Sequence, residues 1–243
     1  PIEAIAAALG KIERAYESLP SEKRPRLILC HISTELEIDW VKRKKSAGWD
    51  LWAETCPHYF FFTSRDLIEK GNWFKVNPPL RSEADRKAIL EAVIEGTIDF
   101  IGTDHAPHRP SEKTNLMAAP SGIASIEWFG QLLFSMVDNG TISWKRFLDL
   151  AVVQSAKCYG IADRDGLKDG NFADFSVITS AGDFSGSGKF LPSAKTQTRT
   201  GFNPYGSCRF SREIKMVMVS GNLVFSDNTF SKEVAGMEVY GKE

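Results

Sequence analysis

The chain has few of the residues that usually announce a chemistry. It holds only four histidines (His31, His58, His105 and His108) and four cysteines (Cys30, Cys56, Cys158 and Cys208). No CxxC pair joins the cysteines. In a chain this long they read as free thiols of a cytoplasmic protein, not as a disulfide framework. There is no GxGxxG and no phosphate-cradling glycine loop with a lysine, so the usual footprints of nucleotide binding are missing. Net charge is −1, which gives no electrostatic case for nucleic acid or a membrane surface as partner. No apolar run approaches the length of a membrane span.

What is present suits a globular α/β protein. The 243 residues are 42% hydrophobic and 25% charged, enough to bury roughly 70% of the unfolded chain's surface. The sequence begins at Pro1 inside a helical pattern, with Ile2, Ile5, Ala6, Leu9, Ile12 and Ala15 at helical spacing, so a fragment of something longer is expected. "RLILCHIST" then reads as a buried strand. A helix follows, capped at Ser33 or Thr34 and stopped at Gly48. "WDLWAETCPHYF" reads as a second strand ended by Pro57, and "NWFKVNPPL" as a third extended piece. "SEADRKAILEAVIEG" has Ser82 as cap, Asp85 three residues on and Gly96 as stop, the pattern of a complete helix. "IDFIGTDHAPH" is a fourth strand, and helices follow over "GIASIEWFGQLLFSMVDNG" and "SWKRFLDLAVVQSAKCYG". Alternation of strand and helix predicts a parallel sheet. Beyond about residue 165 the texture changes to short β runs. A hairpin is expected from Ile214–Val219 through Ser220-Gly221-Asn222 into Leu223–Phe225, after a long loop over residues 182–207.

The ionisable residues fall in a pattern. His31 and His58 end two strands or follow them, and His105 and His108 follow Asp104 at the end of another. Asn77 ends a further extended run. If the strands are parallel, these residues gather on one rim, the usual active face of such folds. The separations 58 − 31 = 27 and 104 − 58 = 46 each span at least one strand–helix unit, so the fold assembles the site. Imidazole with carboxylate suits a divalent transition metal such as zinc. The competing reading is structural: a single strand-end histidine is more often hydrogen-bonded scaffold, and an aspartate can cap the next helix. Cys30, Cys56, Trp128 and Phe129 read as core.

The residues "CHIST", "ETCPHYFFFT" and "KVNPPLRSEADRKAILEAVIEGTIDFIGTDHAPH" resemble the C-terminal half of the class I dihydroorotases, members of the amidohydrolase superfamily. The resemblance runs from about residue 26 to 225. It implies the C-terminal part of a (β/α)8 TIM-like barrel over residues 1–165, with an appended β region over residues 166–243. It also implies a zinc-dependent cyclic amide hydrolase with one or two ions, closing carbamoyl aspartate to dihydroorotate in pyrimidine biosynthesis. His31 matches a metal ligand on the sixth barrel strand, and Asp104 an aspartate that is both ligand and catalytic acid/base. Asn77, His108, Ser121 and Gly122 match substrate-contacting positions, although the family often has an aromatic where Ser121 stands. His58 matches a histidine that is not usually a ligand, and His105 is assigned a structural role.

The departure from the family is large. Its first-strand HxH, fourth-strand carboxylate and fifth-strand histidine have no counterpart in these 243 residues. The resemblance therefore implies that the remaining ligands come from the N-terminal half of the same enzyme, with a small-molecule substrate and a homodimeric assembly as the other partners. A hydantoinase or dihydropyrimidinase activity on the same scaffold, and a catalytically inactive amidohydrolase-like subunit, stand as alternatives.

Overall fold

The computed structural model describes residues 2–180, 196–208, 210, 212–232 and 236–241. Of the loop expected over residues 182–207, the part up to 195 lies outside the described residues. Two compact units divide the chain, Pro1–Ile123 and Ala124–Glu243.

In the first unit, helix α1 (Ile2–Glu17) precedes strand β1 (Leu27–Leu29), helix α2 (Glu35–Ser46) and strand β2 (Leu51–Thr55). Helices α3 (Pro57–Phe61), α4 (Ser64–Lys70) and α5 (Glu83–Glu95) lead to strand β3 (Phe100–Ile101). The strands form one parallel sheet in the order β1-β2-β3, with Leu27 opposite Leu51 and Thr55 opposite Ile101. Local signals set most helix ends. Thr34 caps α2 by accepting from the Glu37 amide. Ser82 and Asp85 form a reciprocal capping box on α5, and Gly96 ends it in the left-handed region at φ +102°, where a side chain would be strained. Asp99 fixes the start of β3: its carboxylate accepts from the Ala53 amide (2.7 Å) and from Lys45 Nζ (2.6 Å).

Several expectations change. The segment over residues 71–80 is a short 3₁₀ turn (Asn72–Phe74) followed by irregular chain, and it joins no ladder among the described residues; its prolines supply no N–H donor for pairing. Pro57 does not merely end β2; it opens α3, at a position where a missing N–H costs nothing. Helix α4, with its own capping box at Thr63, was not anticipated. Strand β1 is half-buried along its whole length. On β2 the side chains alternate: Leu51, Ala53 and Thr55 are buried, while Trp52 and Glu54 face the more open side. Cys30 is exposed, against the expectation of core packing, whereas Cys56 is buried. On α1 only Leu9 and Tyr16 are buried. Tyr16 stacks on Trp49 at 4.0 Å, and Glu13 accepts from Trp40 Nε1 at 3.2 Å.

The second unit contains helices α6 (Phe129–Asp138), α7 (Trp144–Leu148) and α8 (Gln154–Cys158), the last two joined by a π-helical turn (Asp149–Val153). Strands β4 (Phe175–Ser180), β5 (Arg212–Val219), β6 (Asn222–Ser226) and β7 (Thr229–Phe230) make an antiparallel sheet in that order. Val219 pairs with Asn222 across a turn whose central residues, Ser220 and Gly221, both have positive φ. That is the turn geometry whose twist matches the flanking strands. Arg212 Nε donates to Asp138 at 2.9 Å, tying β5 to α6, and Trp128 stacks on Phe210 at 5.7 Å. The change in texture expected near residue 165 falls between α8 and β4. It marks a change of element type rather than the division between the compact units.

Candidate functional site

Parallel pairing puts the C-terminal ends of β1, β2 and β3 side by side. The pairing continues past the strands: the Ile32 amide donates to Glu54 O (2.9 Å) and the Gly102 amide to Thr55 O (3.0 Å). His31, Cys56 and Asp104 therefore leave three adjacent strands at one edge. His31 and Asp104 share an unusual backbone, each with φ +43°. A non-glycine residue in this region is held there by its surroundings, at a strain of order 1–3 kcal/mol. For His31 the restraints are visible: its amide donates to Glu54 Oε2 at 3.2 Å, and the next residue is locked to β2. Thr55 Oγ1 adds a donation to the Ile32 carbonyl at 2.7 Å.

Three residues converge most closely. Cys56 Sγ, a ring nitrogen of His58 and a carboxylate oxygen of Asp104 all lie within 4.8 Å of one another. Cys56 and His58 are buried and Asp104 is exposed. Neither ring nitrogen of His58 has a hydrogen-bond partner, although the side chain is 0% exposed. Leaving an imidazole so costs free energy unless something else binds it. Burial first, and the nearby His31 second, push the His58 pKa down to about 3, so the ring is neutral and keeps a lone pair to offer. Although Asp104 is exposed as a residue, partial burial of its carboxyl raises its pKa, and His31 offsets part of this. Burial, Glu54 and Asp104 all raise the Cys56 thiol, which donates to Glu54 Oε1 at 3.4 Å. A cation at this point would oppose the upward shifts of Asp104 and Cys56 and would hold the His58 ring neutral. The nitrogen, sulfur and oxygen donors, together with the orphaned imidazole, fit a divalent ion of the zinc type.

The sequence pointed to His31 as a ligand and set His58 aside. In the structure His58 belongs to the tight donor group, and His31 stands beside it, close enough for its charge to act on both Asp104 and His58. Glu54 was missed altogether. Its signal was present: alternation along β2 puts it on the open face with Trp52. Gly102 makes room for it, since a Cβ there would lie 2.1 Å from Glu54 Oε1.

A second group gathers one loop away. His108 Nε2 donates to the Ser121 carbonyl at 3.2 Å, and His108 Nδ1 is 4.0 Å from Glu112. The Gly122 amide donates to Lys75 O at 2.8 Å, which brings the chain before Asn77 alongside. Gly122 has φ +148°, and a Cβ on it would lie 2.4 Å from Ala106 O and 3.0 Å from His108 Cδ2. Asn77 and Ser121 are exposed. The His105 backbone forms a parallel bridge with Ile123.

Residues 27–224 match the Amidohydrolase family. The chain belongs to the amidohydrolase family. Its fold neighbours are of the TIM-barrel type. Relatives among curated proteins include the dihydroorotase of Geobacillus sp. (strain WCH70), 40% identical over 152 residues, covering 62% of this chain and 35% of that protein. The dihydroorotase of Macrococcus caseolyticus (strain JCSC5402) is 32% identical over 202 residues, covering 82% of this chain and 46% of that protein. This amidohydrolase chain thus spans between about a third and a half of the relatives it matches. Among solved structures, L-hydantoinase (dihydropyrimidinase) from Arthrobacter aurescens has a TM-score of 0.78 at 24% identity, covering 95% of this chain and 50% of that one. Dihydroorotase in complex with 5-fluoroorotic acid from Saccharomyces cerevisiae has a TM-score of 0.62 at 18% identity, covering 74% and 48%. At such identities the structural likeness speaks to fold alone.

Proposed function

We propose that this amidohydrolase chain is the C-terminal part of a (β/α)8 barrel enzyme that opens and closes a cyclic amide, acting as a dihydroorotase on dihydroorotate and carbamoyl aspartate. The observation that carries the reading is the convergence of Cys56, the unpartnered His58 and Asp104 at the C-terminal edge of a parallel sheet. The curated relatives named dihydroorotase favour this substrate. Residues 1–165 would belong to the barrel and residues 166–243 to the β region. The remaining strands and metal ligands would come from the N-terminal half of the same enzyme, in a cytoplasmic homodimer serving pyrimidine biosynthesis. Among the described residues no helix is long and apolar enough to cross a membrane.

Zinc, one ion or two, would be held by Asp104 with His31 or His58, and when bound would polarise the ring amide carbonyl. Asp104 is the proton carrier. Its carboxylate, with a pKa that burial raises, accepts a proton from the attacking water and delivers it to the leaving ring nitrogen. Glu54 holds the His31 backbone in place by accepting from its amide. Asn77 and His108 hold the substrate's carboxylate and ring, and the Ser121–Gly122 backbone lies along the ring. The Ser121 carbonyl orients the His108 imidazole through its Nε2 proton.

The fold likeness to hydantoinases favours one second reading, a hydantoin- or dihydropyrimidine-cleaving amidase. Offering carbamoyl aspartate and a hydantoin to the complete enzyme, with ring closure or opening followed by absorbance, separates the two. Asp104→Asn in that enzyme should abolish turnover; unchanged turnover would point instead to a catalytically inactive subunit. Zinc titrated into the 243-residue chain alone should give no turnover, and His58→Ala should weaken what binding there is. Turnover by the chain alone would refute the proposal that it is part of a barrel.

A further inference from the structure

The loop bearing Ser121 and Gly122 is held by two lysines. Lys113 is 5% exposed. Its ammonium donates to three backbone carbonyls: Pro120 O at 2.8 Å, Gly122 O at 2.8 Å and Lys75 O at 3.3 Å. Its own carbonyl accepts from Asn72 Nδ2 at 2.9 Å. Lys75, half-buried, reaches the other limb of the same loop, donating to Leu116 O at 2.8 Å, Met117 O at 3.5 Å and Ala119 O at 2.6 Å. An ammonium has three donors in tetrahedral array and no acceptor, so Lys113 matches three converging carbonyls, and no other side chain of that length does. Burying a cation is costly without compensation. Here it is retained where it joins the segment before Asn77 to the segment ending at Gly122.

We propose that Lys113 and Lys75 are positioning residues that clasp the loop over residues 114–122, so that Ser121 and Gly122 stay fixed against His108. The substrate side of this inference rests on the dihydroorotase reading; the clasp does not. Burial first, and the facing Lys75 ammonium second, push the Lys113 pKa down to about 8. Of the other charged groups nearby, Glu112 takes the Arg109 amide at 2.7 Å and faces His108. An opened loop would return Lys113 to the ordinary lysine value near 10.5. The closed loop therefore binds fewer protons between these values, and rising pH favours closure. From about pH 7 to about pH 9 the closing constant should rise about tenfold.

The test is thermolysin cleavage at the exposed Leu116–Met117 pair, normalised at each pH to a linear peptide of the same sequence. Wild-type cleavage should slow about tenfold from about pH 7 to about pH 9. Lys113→Met should be cleaved at least about tenfold faster at the lower pH, the scale of losing one charged hydrogen bond, and should lose the pH dependence. Resistance equal to wild type, or a pH profile that survives the substitution, overturns the clasp. If circular dichroism shows Lys113→Met unfolded, Lys75→Met decides in its place: faster cleavage supports the clasp and unchanged cleavage overturns it. In the complete enzyme, Lys113→Met should raise KM for the cyclic amide more than it lowers kcat. Faster cleavage with unchanged KM overturns the positioning role and, with it, the placing of Ser121 and Gly122 against substrate.

Discussion

Replacing Gly122 by alanine should destabilise this unit more than replacing any glycine that has open space around it. The new Cβ would lie 2.4 Å from the Ala106 carbonyl oxygen, 2.7 Å from Ala106 Cβ and 3.0 Å from His108 Cδ2. Carbon atoms pack best at about 3.5–4.0 Å. Two of these contacts are with the backbone or a Cβ, so no rotamer change relieves them. Overpacking of this kind costs about 1–3 kcal/mol. Holding alanine at φ +148° adds strain of about 1–3 kcal/mol. Together these give about 2–6 kcal/mol, a large share of the 5–15 kcal/mol that typically stabilises a domain. Gly166 separates the two contributions. It has φ +136° and nothing within 4 Å of a built Cβ, so Gly166→Ala should show the backbone strain alone. Urea unfolding of both variants, read as a shift in midpoint at constant slope, measures the difference. Gly122→Ala within about 0.5 kcal/mol of Gly166→Ala, the scatter of ordinary surface changes, would refute the close approach of residues 106 and 122.

Gly102→Ala should behave differently although its clash is shorter on paper, because the Cβ meets a carboxylate that can swing away. Global stability should fall by no more than about 1–2 kcal/mol, the scale for one displaced side-chain hydrogen bond. The His31 amide, deprived of Glu54 Oε2, should shift in a nitrogen–proton NMR spectrum; an unmoved His31 resonance would contradict the contact. Thr55→Val keeps the shape but removes the donor to the Ile32 carbonyl. Denaturant unfolding should show a loss of about 1–3 kcal/mol, the cost of an unsatisfied buried acceptor, and a neutral result would mean the carbonyl finds another donor. Ser82→Ala removes half of the α5 capping box and should cost about 1 kcal/mol by the same measurement.

Local chemistry was legible in the sequence because its partners lie within a few residues. Ser82, Asp85 and Gly96 bound α5 through contacts spanning three or four positions. Gly221 adopts the positive φ that the β5–β6 turn needs without a side-chain penalty. That His31 and Asp104 end strands could be read from where apolar runs stop. The tertiary structure decided what those ends face. Glu54 matters because parallel register sets it beside His31 and opposite Gly102. His58 became a candidate ligand because Pro57 turns the chain into α3 and buries both ring nitrogens without partners. Lys113, an unremarkable charge in the sequence, meets three carbonyls supplied by residues 75, 120 and 122. Caps and turns are written in neighbouring residues, whereas a site of this kind is made by distances between segments that share no local signal.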